Sequence, residues 1–183
     1  MVRRAVLFFA AVSILVAQPA VPRKAEDFRV TLPDGRYQDI SGLKGNVVAL
    51  CFIYTTCPHC QGMSVLMNRL YQEHSKEGFL PIDVAWNDGA KEAIPEFVQR
   101  FNLYMPVGYS DRTTVLGYLG ISLMDQRIVV PQILWIDRKG MIRSQTPPTG
   151  DLSMLSEQYF RHMVTTLLAE PGPAAPHKSI TKR

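Results

Sequence analysis

The 183-residue sequence predicts an α/β domain organised around a mixed β-sheet. Three observations carry that expectation. Val47 to Tyr54 is a continuous apolar run, which fits a central strand buried on both faces. After it, strand-like and helix-like segments alternate through Phe79 to Trp86 and Pro106 to Tyr109. Towards the C-terminus two strand-like runs flank Arg138-Lys139-Gly140, a hairpin signal, and a helical pattern follows.

Each element has its own local reason. Phe28 to Leu32 alternates like a short strand, Asp34-Gly35 marks a turn, and Arg36 to Ile40 returns, giving an N-terminal β-hairpin. Gly42 to Asn46 is polar and turn-like. Met63, Leu66, Met67, Leu70 and Tyr71 recur at helical spacing, with Gly78 as the expected stop. Those methionines read as core gap-fillers rather than metal ligands. Phe79 to Trp86 reads as the next strand and leaves through Asn87-Asp88-Gly89. A helix is expected after it, with Pro95 near its first turn and Phe97, Val98 and Phe101 inward. Pro106 to Tyr109 fits a short strand. Asp111 fits the N-cap of a helix carrying Val115, Leu116, Tyr118 and Leu119. Ile128 to Val130 leads into Pro131, and Gln132 to Asp137 and Met141 to Gln145 are the late hairpin. The final helix is expected to begin near Asp151 and to bury Leu152, Leu155, Tyr159, Met163 and Leu167.

The two ends differ in composition from the middle. Arg3 and Arg4 followed by the uncharged apolar run Ala5 to Ala17 read as an export signal, with cleavage after Ala17 or Ala20. The alternative is an uncleaved membrane anchor, since Ala5 to Pro22 approaches the length of a bilayer span. Residues 1–20 are therefore a signal peptide or anchor, 21–170 one folded domain, and 171–183 a Pro/Ala-rich disordered tail. Either reading of the first segment places the domain outside the cytoplasm, periplasmic or otherwise extracytoplasmic, where disulfides persist. The formal charge of +4 comes from the ends. Without Arg3, Arg4, Lys178, Lys182 and Arg183, fifteen basic residues face sixteen acidic ones. That balance leaves no electrostatic footprint for nucleic acid.

The chemistry concentrates in Cys57-Pro58-His59-Cys60, between the central strand and the first helix. Two cysteines at this spacing form a reversible dithiol/disulfide couple. Cys57 falls at the helix N-terminus, where unpaired N–H groups and the macrodipole favour a thiolate. Pro58 suits the first helical turn, where its missing N–H costs nothing. His59 adds a donor that can be cationic. A zinc site is the competing reading, but it needs four ligands, and His74, His162 and His177 show no ligand spacing. A purely structural disulfide is the third reading. Cys51, on the central strand, reads as a small buried residue, too far along the strand to pair with Cys57.

The chain resembles the thioredoxin-like fold, and within it the exported TlpA/ResA-like thiol-disulfide oxidoreductases. The resemblance rests on Leu43 to Val48, on Phe52 to Cys60, on Val130-Pro131, and on Leu134-Trp135-Ile136-Asp137-Arg138-Lys139-Gly140, and it extends over residues 28–168. It implies a central mixed sheet flanked by helices, an N-terminal β-hairpin and a TlpA-type insertion. It also implies a cis Val130–Pro131 bond beside the dithiol. Cys57, Cys60, His59 and Pro58 become the catalytic candidates, and Val130, Pro131 and Thr56 the substrate-binding ones, with no metal and no cofactor. The partners implied are protein thiols or disulfides and a redox-recycling protein, met by a monomer that touches a membrane only if its first segment stays uncleaved.

Three positions depart from the pattern. Thr56 stands where many relatives have Trp, Cys51 where thioredoxin has a buried Asp, and Met63 where ResA-like reductases have a Glu. In those relatives the carboxylates help to move the proton of the resolving thiol. Cys-Pro-His-Cys and the Val before the proline match DsbA-like oxidants instead, so the chemistry leans oxidising. A copper-handling protein and a redox-inert binding module on the same fold are the rival functions.

Overall fold

The computed structural model describes residues 19–124 and 128–173. The expected signal or anchor and the expected disordered tail lie almost wholly outside the described residues. Among the described residues eight strands form one sheet, and four α-helices cover its two faces. The strands are β1 (Arg23–Lys24), β2 (Arg29–Thr31), β3 (Tyr37–Asp39), β4 (Val47–Ile53), β5 (Phe79–Ala85), β6 (Val107–Tyr109), β7 (Gln132–Ile136) and β8 (Met141–Gln145). The helices are α1 (Pro58–His74), α2 (Ala90–Phe101), α3 (Arg112–Leu119) and α4 (Glu157–Ala169). The sheet order is β1-β8-β7-β4-β5-β6-β2-β3. β4 runs parallel to β5, and β5 parallel to β6, whereas β7 is antiparallel to β4. This is the expected thioredoxin-like architecture.

β4 is central because all seven of its residues are buried. Its side chains alternate between two cores. Val47, Ala49, Cys51 and Ile53 meet α1, α2 and α4, through residues such as Met67, Leu70, Phe97 and Phe160. Val48, Leu50 and Phe52 meet α3 and the β2–β3 hairpin, through Val115, Leu116, Leu119, Phe28 and Val30. β6 and α3, lodged between α2 and Pro131, correspond to the expected TlpA-type insertion.

Several boundaries differ from the sequence reading, each for a local reason. The helix expected to run to Gly78 ends at His74, and a short 3₁₀ turn, Ser75–Glu77, reaches Gly78 in a left-handed conformation, φ 95°. Residues 40–43 form a 3₁₀ turn inside a stretch that the sequence divides between strand and loop. Pro95 is the sixth residue of α2 rather than part of its first turn. The bond it cannot donate belongs to the carbonyl of Lys91, an exposed residue that water can reach. Of the three residues expected inward on α2, Phe97 is buried while Val98 and Phe101 are half-buried.

The last helix begins at Glu157, not near Asp151. The Ser156 hydroxyl accepts from the Tyr159 N–H at 3.2 Å and caps it, whereas the Asp151 carboxylate accepts from the Ser153 N–H and hydroxyl and closes a separate turn. Leu152, expected inside, is 80% exposed in that turn. β1 is a two-residue strand pairing Arg23 with Ile142, too short for any periodicity to reveal.

This placement sets a contrast that denaturation can read. Phe160→Ala, which empties a fully buried site, should cost ~3–5 kcal/mol, whereas Leu152→Ala should change stability by less than ~0.5 kcal/mol. Equal losses at the two positions would mean that Leu152 is packed and the helix starts earlier.

Candidate active site

The dithiol sits where β4 hands the chain to α1. Tyr54 to Thr56 make the turn, and the Cys57 N–H donates back to the Tyr54 carbonyl at 3.1 Å. Asn87, just past β5, holds this turn: its side-chain oxygen accepts from the Thr55 N–H at 2.9 Å. From the other side the Gln61 amide donates to the Thr55 carbonyl at 2.9 Å. Cys57 is the N-cap of α1, Pro58 takes the first helical position, and the Cys60 N–H donates to Cys57 Sγ at 3.5 Å. The sulfur thus does for this helix what a Ser or Asp oxygen does for others.

The two thiols occupy different environments. Cys57 is half-buried, whereas Cys60 is fully buried against the α1-side core. Burial pushes the Cys60 thiol well above the ordinary thiol range, and its neighbours Cys57 and Asp83 push the same way against a hydrogen bond at the Tyr54 backbone. Pro58, His59 and Thr56 are exposed around Cys57.

The opposite wall comes from far along the chain. The Val130–Pro131 bond is cis, as the resemblance implies, and the Cys57 thiol lies 3.9 Å from the Val130 carbonyl oxygen, to which it donates. Pro131 is buried and Val130 half-buried. Gln132 fixes this segment: its amide donates to the carbonyls of Val129 at 2.9 Å and Pro147 at 3.0 Å, while the Val129 N–H donates to the Pro148 carbonyl at 3.0 Å. Sequence reading assigned Gln132 only to a strand. The β4–α1 turn and the Val130–Pro131 segment thus bring the seven predicted site residues together, with Cys57 and Val130 in direct contact and Cys60 and Pro131 buried behind them. Thr56 also opens onto a groove of about 330 Å³ that runs past Gln61 towards Glu96, Phe97 and Arg100 of α2.

Sequence reasoning missed Asp83. It lies in the middle of β5, fully buried, in the register position paired with Cys51 of β4. Asp83 Oδ2 accepts from the Ser64 hydroxyl of α1 at 2.6 Å, and Oδ1 has no hydrogen-bond partner. Burial raises its carboxyl to about 7, against a smaller opposing effect of the Ser64 hydroxyl. The signal was present as a single acid inside the apolar run Phe79 to Trp86. Cys51 is buried as expected. Burial raises its thiol well above the ordinary range, with Asp83 and Cys60 adding to it.

Comparison with known proteins agrees with this geometry. The AhpC/TSA family profile matches residues 21–145. The chain belongs to the AhpC/TSA family. The thiol-disulfide oxidoreductase ResA of Bacillus cereus is 27% identical over 124 residues, 67% of this chain and 66% of the relative, so the match leaves about a third of that protein unaligned. A thiol:disulfide interchange protein of the thioredoxin family from Chlorobium tepidum superposes with a TM-score of 0.64 at 21% identity, covering 82% of this chain and 99% of the other. The thioredoxin domain of a thiol-disulfide oxidoreductase from Bacteroides vulgatus gives 0.66 at 15% identity, covering 81% and 99%. The thioredoxin-like, ResA-like reading of the sequence is borne out.

The raised Asp83 carboxyl makes stability depend on pH. Its folded value lies above the ordinary 3.8, so the unfolded chain gives up the proton first. The neutral acid's contribution is complete below about pH 4 and is lost as pH rises through about 7. Thermal melts should therefore fall between pH 5 and pH 8 by an amount equivalent to a few kcal/mol at most, and Asp83→Asn should flatten that decline. A decline of equal size in the Asn variant would assign the effect to other groups.

Proposed function

We propose that this chain is an extracytoplasmic thiol-disulfide oxidoreductase that exchanges disulfides with protein substrates through Cys57 and Cys60. The observation that carries the reading is the asymmetry of the pair: a half-buried Cys57 capping a helix against the Val130 carbonyl, and a fully buried Cys60 one turn behind it. An incoming chain can reach only the first sulfur.

In the oxidising direction a substrate thiolate attacks Cys57 Sγ of the disulfide, the Cys57–Cys60 bond breaks, and Cys60 leaves with the electron pair and takes up a proton. A second substrate thiolate then attacks the substrate sulfur of the mixed disulfide and releases Cys57. Two electrons have passed to the protein, and the substrate carries a disulfide. Run backwards, the same steps reduce a substrate disulfide. The Val130 backbone beside Pro131 offers an edge for an extended substrate segment, and Thr56, with the groove towards Arg100, borders the other side. A second redox protein must restore the dithiol or disulfide after each turnover.

The relatives support this reading over the copper-handling and redox-inert alternatives, since they are named for thiol-disulfide exchange. Among the described residues no three His, Cys, Asp or Glu side chains converge as a metal site requires. The N-terminal apolar run supports export, as a cleaved signal or as an anchor. Among the described residues no helix is long and apolar enough to cross a membrane. The folded domain, residues 21–170, acts as a monomer.

Two measurements test the proposal. Reduced protein should catalyse insulin reduction by dithiothreitol, and brief alkylation read by mass spectrometry should modify Cys57 before Cys60 or Cys51. Cys57→Ser should abolish turnover. Labelling of Cys60 or Cys51 ahead of Cys57 would sink the assignment of the nucleophile.

The exposed His59 beside Cys57 tunes the couple towards oxidation. In His59→Leu the disulfide should become harder to reduce, by ~30 mV for each ~1.4 kcal/mol of thiolate stabilisation removed. Equilibration with glutathione reads the shift. A potential unchanged within ~10 mV would show that His59 contributes well under ~1 kcal/mol.

A further inference from the structure

A substrate segment can pair only with backbone groups that the fold leaves open. Beside Cys57 such groups are few. Val129 has none: its N–H donates to the Pro148 carbonyl at 3.0 Å, and its carbonyl accepts from the Gln132 amide at 2.9 Å. Pro131 has no N–H to offer. Val130 keeps both of its groups. Among the described residues its N–H meets no acceptor, and its carbonyl meets only the Cys57 thiol at 3.9 Å, which leaves a lone pair free.

One buried side chain sets this pattern. Gln132 is 0% exposed, and its amide bridges the carbonyls of Val129 at 2.9 Å and Pro147 at 3.0 Å. Its side-chain oxygen is buried without a partner. An orphaned oxygen in a core is costly. Turning the amide over would be worse, because that oxygen would then face two carbonyl oxygens. The bridge therefore fixes the orientation, and the orphaned oxygen is its consequence. The pairing of Gln132 with Phe52 of β4 sets where the bridge stands.

The far side of the bridge is tied down as well. The Thr146 N–H donates to the Ile133 carbonyl at 3.0 Å, and the Gly150 N–H to the Pro147 carbonyl at 2.8 Å. Gly150 has a φ of 79°, and a Cβ there would fall 2.6 Å from Val129 Cγ2, so this turn packs closely on Val129. A residue before proline is pushed towards extended backbone. Successive extended residues turn their N–H and C=O to opposite edges. With the Val129 groups bound on the Pro147–Pro148 side, those of Val130 are turned towards Cys57.

We propose that Gln132 is a positioning residue for the substrate: by bridging Val129 to Pro147 it presents the Val130 N–H and carbonyl as a single docking pair, and so favours disulfides carried on an extended peptide. The proposal rests on the exchange through Cys57 and adds no chemical step to it. A substrate residue beside the reacting cysteine must supply its own N–H and carbonyl together, so a residue there without an N–H is disfavoured.

The test compares two disulfides with the full reduced protein. One is the disulfide dimer of a linear peptide with a single central cysteine. The other is bis(2-hydroxyethyl) disulfide, which has no backbone to pair. Gln132→Met keeps an unbranched side chain of similar length and removes the donor. The ratio of the two rate constants, peptide over hydroxyethyl, should fall at least about tenfold from the parent. A loss of packing that harmed the dithiol itself would slow both reactions and leave the ratio unchanged. N-methylation of the residues flanking the peptide cysteine should slow the parent several-fold. It should slow Gln132→Met much less, because the pairing it blocks is already lost. Gly150→Ala presses on Val129 from the surface turn and should lower the ratio too; it decides the matter should Gln132→Met not fold. A parent that reacts with neither disulfide overturns the exchange reading, and this proposal falls with it. A parent that reacts with both, and a ratio that keeps the parent value in the folded variants, overturn this proposal alone.

Discussion

The register between β4 and β7 is the constraint on which the site depends. β4 runs out of the core towards Cys57, and β7 runs antiparallel beside it, with Phe52 opposite Gln132. Five residues beyond Phe52 lies Cys57; two before Gln132 lies Val130. The pairing alone brings together two segments 73 residues apart and sets the Cys57 thiol 3.9 Å from the Val130 carbonyl. A slip of one residue would turn every β4 side chain to the opposite core and move this contact. Both cores resist it, because all seven β4 residues are buried and sorted between them. The site is therefore held by the apolar alternation of a strand that carries no chemistry. The polar contacts around it, Asn87 and Gln61 on the Thr55 turn and Gln132 on the Val129 carbonyl, then fix the two segments locally.

Much of this was legible in the sequence because it is local. A seven-residue apolar strand, a cysteine and proline at a helix start, and Asp111 as a cap each leave a short-range mark. Asp111 does accept from the Thr114 N–H at 2.9 Å. The errors came where two local signals competed. Asp151 and Ser156 are both capping residues, and only tertiary packing shows that Phe160, not Leu152, reaches the core. Pro95 looks like a helix start, yet α2 begins five residues earlier, after Gly89 in a left-handed conformation. β1 exists only because β8 offers it an edge, so nothing in Arg23-Lys24 itself announces a strand.

The chemistry was less legible than the fold. Cys57-Pro58-His59-Cys60 names the reacting atoms but not their burial, and burial makes the two sulfurs unequal. Cys60 turns inward because the first turn of α1 points it at the same core as Met63 and Met67, while the preceding loop leaves Cys57 at the surface. The reaction then has an order: the outer sulfur meets the substrate, and the inner one closes or opens the disulfide behind it. The inner sulfur carries the energetic difficulty, since an ionised thiol in an apolar core is costly.

The buried acid Asp83 leaves no mark near the dithiol in the sequence, because it lies on a neighbouring strand. Reading position by position places Cys51 where related folds hold an Asp and Met63 where others hold a Glu, and stops at the absence of both. The sheet is two-dimensional, however. β4 and β5 are parallel and in register, so Cys51 and Asp83 stand side by side about 4.8 Å apart and face the same helix. Of these two neighbours the acid stands on β5, beneath α1. Ser64 supplies the donor that ties it there, and no residue near 51 or 57 in the sequence announces it. A place beneath the first turns of a helix can thus be filled from either of two neighbouring strands, here by residues 32 apart in the chain.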